Sequence, residues 1–468
     1  MTRRIAIVGA GLSGLSLAYR LRQRLPDASI RVLETASRPG GTAWTVDRDG
    51  FQVELGPNGF LDNKPTTLQL ARDLGLNDRL VEASPSAGTN RYLYLGQRLE
   101  RLPSSPGDLL RTPLLSWRGK LAFLAERFRR GRTDLRDESI DAFSRRRAGG
   151  EVADIFADAM VTGIYAGDPR LLSLPACFPR VAAMEREFGS VMKGFAKMAK
   201  RRQAEAVARG EPRQRPGKLW SLQGGIRTLV ASLADALKQP PDYGYRIASL
   251  EKRGDPPARP TWRLGDESDR NFWCADDVVL TCPSHQSAEI VRSMDPDLSR
   301  ELADIPFNRI AVVALGFRAQ DVPGGVDGFG FIVPQRLKRD LLGVQWCSSI
   351  YPGRAPAGTI LLRAMCGGWT RGDMVDWPED RLLDAVRAEL RVIQGITAAP
   401  IFHLIQRWSP GIPQYHLGHL ERLTRIDSLL AGHPGLHLGG NSLRGVAMND
   451  CAEQAVILAD RIASRSAG

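Results

Sequence analysis

Three glycines, Gly9, Gly11 and Gly14, are spaced G-x-G-x-x-G and stand twenty residues ahead of a carboxylate at Glu34. That set suits a dinucleotide. Gly9 permits a tight turn, Gly11 lets backbone amides approach a pyrophosphate, and Gly14 lets a helix pack closely on a strand. The helix N-terminus adds partial positive charge, and Glu34 can accept hydrogen bonds from an adenosine ribose. The flanking elements agree. Residues 5–8, IAIV, are a short apolar run of the kind buried on both faces of a parallel sheet. Leu15, Ala18, Leu21 and Leu25 then recur at helical spacing, and IRVLE forms a second strand that ends on Glu34. A glycine-rich structural turn would leave Glu34 unexplained. The unit is read as dinucleotide-binding, with Ala10, Leu12, Ser13 and Thr35 beside the ligand.

A second chemical candidate is Arg91, at the head of NRYLYLGQ (residues 90–97). Aromatic and aliphatic residues followed by glycine predict a strand there. The arginine is either a solvated residue at a strand start or the anchor for an anion, since its planar fork matches a carboxylate. Other segments decide which ligand is present. At the far end of the chain an apolar strand meets Gly439 and Gly440. A helix carrying Ala455, Leu458, Ala459 and Ile462 follows. Residues 221–237 with 275–283 form a plausible third piece of the same sheet.

The 468 residues imply two or three domains, and 43% hydrophobic with 25% charged residues describe a soluble globular chain. No run of 18 apolar residues is present, and the apolar start is broken by Gly9 and Gly11, too early for a signal peptide. Six cysteines without a CxxC pair predict reduced thiols in a cytoplasmic protein. His416 and His419 form an HxxH without the partners of a metal site, so no metal is expected. Net charge is +12, and residues 111–218, with 23 Lys and Arg against 13 Asp and Glu, carry +10 of it. The basic character is local and marks a region that meets something anionic.

The segment ETASRPGGTAWTV places Arg38, Gly40 and Gly41 just after Glu34, and resembles the second glycine motif of the amine oxidase-like flavoproteins. Thr42 stands where many members have arginine. Further along, GPNGF (56–60), NRYLYLGQ, GIYAGDPRLLS (163–173), GFGFIVP (328–334), GIPQYHLGH (411–419) and GVAMNDC (445–451) resemble the FAD-dependent protoporphyrinogen oxidases of haem biosynthesis, in order and over essentially the whole chain. Flavin-type coproporphyrinogen oxidases share the scaffold and are the close alternative.

The resemblance implies an α/β fold: a Rossmann-like FAD-binding domain built from both chain ends, an inserted α+β substrate domain and an inserted helical membrane-binding domain. The expected layout is 1–90, 219–300 and 406–468 for FAD, 91–218 for the helical insertion and 301–405 for substrate. Non-covalent FAD would touch Thr42, Gly56, Pro57, Asn58, Gly59, Ile247, Val446, Ala447 and Met448 besides the glycine motifs. Arg91 would pair with a substrate propionate, and the Gly163 backbone would lie against the tetrapyrrole, the alternative being a helix-ending glycine. Phe329 and Met365 match cavity positions, although either residue type is commonly core. The implied reaction removes six electrons from protoporphyrinogen IX, by hydride transfer from a meso carbon to the flavin, with three oxygen molecules becoming hydrogen peroxide. A homodimer is also implied.

Within the basic region, Leu114, Trp117, Leu121, Leu124 and Phe128 share one helical face among Arg118, Lys120, Arg127, Arg129 and Arg130. Such a face either packs on a neighbour or lies on an anionic membrane, and the resemblance favours peripheral attachment to the inner face of the cell membrane. Residues 194–218 read as a helix running into a mobile loop. A non-catalytic nucleic-acid binder is the alternative of another class, but no RNA-binding motif with interleaved aromatics accompanies the charge.

Overall fold

The structure is a computed structural model, which describes residues 2–464 apart from 133, 135, 209–216 and 254–260. The loop expected beyond the helix at 194 falls at 209–216, outside the described residues.

The first unit forms as its spacing predicts: β1 (Arg4–Val8), α1 (Leu12–Arg24) and β2 (Ser29–Glu34). Among the described residues β1 lies at the centre of a five-stranded parallel sheet. Its order is Asp242–Tyr243, β2, β1, Asp277–Leu280 and Leu436–Leu438. Side chains alternate across a strand, so β1 feeds two cores. Ile5 and Ile7 pack under α1 and the helices Arg227–Asp235 and Met448–Ser464, whereas Ala6 and Val8 pack on Trp262, Leu264, Ile290 and Leu298. Burying each isoleucine contributes about 1.5–3 kcal/mol. Both chain ends thus build one sheet, because the edge strand Leu436–Leu438 and its helix follow everything inserted between.

The larger sheet has seven strands. Its order is Phe402–Trp408, Arg309–Arg318, Thr359–Gly368, Gly343–Trp346, Gly330–Ile332, Arg91–Leu95 and Arg98–Arg101. Helix Glu379–Gln394 covers one face through Leu382, Val386 and Leu390, which recur every four residues. The helical region covers part of the other, with Leu93 packed among Leu114, Leu115, Val152 and Ile155.

Two segments of this sheet fall across or beyond expected domain edges. The hairpin 91–101 belongs to it and not to the helical insertion, whose first helix is Pro106–Arg111. Strand Phe402–Trp408 likewise runs across the expected edge at 405. The causes are the parallel pairing of Arg91–Leu93 with Gly330–Ile332 and the antiparallel pairing of Phe402–Trp408 with Ile310–Gly316, long-range contacts without a local signature.

The amphipathic segment is helical over Trp117–Leu124 and tightens into a 3₁₀ turn at Ala125–Phe128. The buried ion pair of Arg147 with Glu126 pins that turn, and Glu126 also accepts from the Val191 and Met192 amides at the start of helix Val191–Ala208. Leu114 is buried, but Trp117, Leu121, Leu124 and Phe128 are 69%, 64%, 41% and 82% exposed. The stripe therefore has no partner within the described chain. Among the described residues no helix is long and apolar enough to cross a membrane.

Candidate active site

The glycine turn is built as its residue types require. Gly9 takes φ +106°, a left-handed conformation that a side chain disfavours, and a Cβ on Gly14 would overlap the Gly9 carbonyl oxygen. Gly11 opens α1 with no side-chain cap and with free space where its Cβ would point, which leaves first-turn amides to an anion.

Glu34 does more than face a ribose. It accepts the Ala10 amide at 2.7 Å and the Ala36 amide at 2.8 Å, fastening β2 to the glycine turn. Lone pairs remain on both oxygens for a ligand. The second glycine motif is held by the Gly40 amide donating to the Ala10 carbonyl at 2.7 Å. Arg38 lies over the Trp44 ring at 4.5 Å and donates to the Gly41 carbonyl at 3.1 Å. Thr35 follows on from Glu34, and Thr42 is exposed beside Gly41. Ile247 is buried at the start of its strand, close to the end of β2, where the Tyr245 amide donates to the Glu34 carbonyl at 3.0 Å.

The loop Gly56–Gly59 runs between the two sheets. A Cβ on Gly56 would overlap the Thr42 carbonyl, and one on Gly59 would overlap the Tyr351 hydroxyl. Trp408 from the large sheet donates through Nε1 to the Leu55 carbonyl at 2.8 Å. Asn449, one residue into the last helix, donates to the Leu61 carbonyl at 2.6 Å. Lys64 bridges Asp450 and Glu453, each at 2.7 Å. These bonds fix Val446, Ala447 and Met448, at the N-terminal end of that helix, relative to the loop. Pro57 is half-buried. Asn58 is 8% exposed, and both polar atoms of its carboxamide are buried without a partner. A buried amide left unbonded costs several kcal/mol unless a ligand meets it.

Arg91, Phe329 and Met365 lie on or beside strands of the large sheet, and Gly163 lies on a helix packed against it. Arg91 lies over the Phe329 ring at 4.8 Å, and its Nε donates to the Ala87 carbonyl at 3.3 Å. No carboxylate among the described residues pairs with it, and burial pulls its guanidinium below the ordinary arginine value. Gly163 lies inside helix Asp158–Tyr165, which ends on Ala166 in a left-handed conformation, so it is not the glycine that ends the helix. A Cβ on it would stand 2.9 Å from Ile332 Cδ1, the residue cross-strand from Leu93. Met365 packs with Ala166, Ile310, Val312 and Leu342. Its contacts and those of Gly163 thus lie along one helix–sheet seam.

His416 and His419 are separated in role. His419 stacks on Tyr415 at 4.3 Å and bonds the Leu443 carbonyl at 2.8 Å, while His416 meets Trp369 edge-on at 4.6 Å. Reading the sequence missed Arg363, Gln345, Glu54 and Arg354. Arg363 carried a signal, a charge inside the apolar strand TILLRAMCGG.

A parallel sheet with an amide-lined glycine turn, joined to a second sheet through a glycine loop and a helix start, is the architecture of a dinucleotide-dependent oxidoreductase of the flavoprotein class. Residues 12–463 match the model of the flavin containing amine oxidoreductase family, and the chain belongs to that family. The chloroplastic protoporphyrinogen oxidase of Oryza sativa subsp. japonica is 32% identical over 97% of this chain and 87% of its own length. The coproporphyrinogen III oxidase of Bacillus subtilis is 28% identical over 97% of this chain and 96% of its own. A solved structure from Exiguobacterium sp. 255-15, assigned provisionally as a protoporphyrinogen oxidase, superimposes with TM-score 0.83 at 27% identity, over 99% of both chains. The residues present fit FAD, since the Gly11 turn, the free lone pairs of Glu34 and the unbonded Asn58 carboxamide all offer groups to it.

Proposed function

We propose that the protein oxidises protoporphyrinogen IX to protoporphyrin IX, releasing six electrons and six protons, with three oxygen molecules reduced to three hydrogen peroxide. The observation that carries this reading is Arg91: a half-buried guanidinium, backed by an aromatic ring, with no carboxylate partner among the described residues. It calls for an acidic ligand with an apolar body. Bound flavin accepts two electrons and a proton from carbon as hydride. The chain's part is to hold and orient. Arg91 receives a propionate through its two free nitrogens, Gly163 lets the helix backbone approach the macrocycle, and Phe329 and Met365 supply apolar surface. Gly9 to Gly14, Glu34, Gly40, Gly41, Gly56 to Gly59, Ile247 and Val446 to Met448 hold the cofactor.

A second reading, coproporphyrinogen III as substrate, is favoured by the coproporphyrinogen III oxidases of Bacillus subtilis and Staphylococcus aureus, each 28% identical over nearly the full chain. Turnover with two-propionate and four-propionate porphyrinogens, read side by side by porphyrin fluorescence, decides between them. A yellow protein that oxidises neither would overturn both.

The exposed stripe of Trp117, Leu121, Leu124 and Phe128, with Arg118, Arg127 and Arg130 exposed around it, supports peripheral association with an anionic membrane. A poorly soluble substrate and product suit such a position.

A further inference from the structure

Arg363 is 5% exposed, yet it stands on the strand that also carries Met365. Strand register sets it in one row with Ala314, Gln345, Gly330 and Arg91. Its Nη1 donates to Gln345 Oε1 at 3.0 Å, its Nη2 to the Gly56 carbonyl, and its Nε is buried without a partner. No carboxylate among the described residues lies within ion-pair distance of it.

Glu54 is the nearby acid, and it is already claimed. Arg354 pairs with Glu54 at 2.8 Å, the Ile226 amide donates to it at 3.0 Å, and the Thr45 hydroxyl donates at 2.7 Å. Thr45 itself accepts the Arg227 amide at 3.0 Å, so its hydrogen must point at Glu54. Burial pushes the Glu54 carboxyl up, against the donors Arg354, Thr45 and Ile226. Two guanidinium groups therefore share at most one negative charge, and at least one unit of positive charge remains buried behind the Gly56–Gly59 loop. Burial pulls the Arg363 guanidinium below its ordinary value, against the pull of Cys347 and Glu54. A neutral amide could donate to Gly56 just as well. The charge needs another reason.

We propose that Arg363 is a positioning residue that stabilises the negative charge the flavin gains on reduction. A hydride carries two electrons and one proton, so the ring system ends with one extra unit of negative charge. A fixed cation behind the cofactor loop favours that state through a low-dielectric interior. This depends on the flavin lying against the Gly56–Gly59 loop and not on which porphyrinogen is oxidised.

The test is the flavin midpoint potential of the FAD-loaded protein and its R363Q and R363K variants, by dye-equilibrated reduction. R363Q is expected to destabilise reduced flavin about tenfold, which for a two-electron couple is about 30 mV lower. R363K keeps the charge and is expected to stay near the wild-type potential. An R363Q potential equal to wild type overturns the proposal. Should R363Q lose its flavin, R363K decides: a near-wild-type potential supports the proposal, while a tenfold loss, or loss of flavin there too, assigns Arg363 to holding the loop and overturns it. No porphyrinogen enters the measurement, so its failure is separable from failure of the proposed substrate.

Discussion

Replacing Arg91 with alanine tests the proposed substrate contact. Only Nε is engaged, by the Ala87 carbonyl at 3.3 Å, so both terminal nitrogens are free to form a two-point contact with a carboxylate. Hydrogen bonds to a charged group contribute about 1.5–3 kcal/mol, or roughly 10- to 150-fold in affinity. R91A should raise KM for porphyrinogen by that factor. R91K, which keeps charge but loses the fork, should fall between. Flavin content should not change, since none of the described contacts of Arg91 reaches the glycine turns. Thermal stability should barely move. The lost contact with Phe329 at 4.8 Å is worth about 0.5–1 kcal/mol, and relief from burying an unpaired cation offsets it. The assay is steady-state porphyrin fluorescence with flavin absorbance on the same sample. An unchanged KM in flavin-replete R91A would refute the anion-anchor reasoning.

Gly163→Ala adds a Cβ 2.9 Å from the flexible end of Ile332, while alanine gains about 0.5–1 kcal/mol in a helix. Tm should hold or rise while kcat/KM falls at least about tenfold; unchanged kinetics would make Gly163 an ordinary helical residue. Burial pushes the His419 imidazole down to about 4, against the hydrogen bond to the Leu443 carbonyl, which favours the charged ring. Because the folded value lies below the unfolded one, its contribution is complete above about pH 6.5 and is lost as pH falls toward 4. Stability should drop by about 2 kcal/mol between pH 7 and pH 5, and His419→Gln should flatten that slope in denaturant titrations. Trp117→Ser with Phe128→Ser removes the two most exposed aromatics of the stripe, 69% and 82% exposed. Partition onto anionic vesicles should fall by at least about tenfold per residue, with turnover in detergent retained; undiminished vesicle binding would leave the stripe to some other partner.

Legibility followed range. β1, α1 and β2 lie within residues 4–34, and each step there is local: an apolar run, a glycine turn, a helical repeat, an acid. The last helix was readable for the same reason, with Ala455, Leu458, Ala459 and Ile462 all buried. The large sheet was not. Of its strands only the one headed by Arg91 read as β, and only its pairing with Gly330–Ile332 assigns the hairpin to the sheet and away from the helices. The stripe from Leu114 to Phe128 was readable as amphipathic, but periodicity states which residues share a face and not whether a partner covers it. Buried Leu114 and exposed Phe128 belong to the same repeat.

Arg363 shows the same limit at a single residue. A lone charge in an apolar strand signals either an edge or a buried site, and the sequence does not say which. Register settles it. Arg363 and Arg91 stand three strands apart in one row, about 14 Å at ordinary strand spacing, with Gly330 and Gln345 between. Yet they differ in access. Arg91 is half-buried with two nitrogens free, which suits a ligand that must enter and leave. Arg363 is closed off by Gly56 and Gln345, which suits charge that appears and disappears on a resident group. A substrate carboxylate cannot reach the second without moving the Gly56–Gly59 loop, so replacing Arg363 should alter the flavin and replacing Arg91 should alter the affinity for substrate.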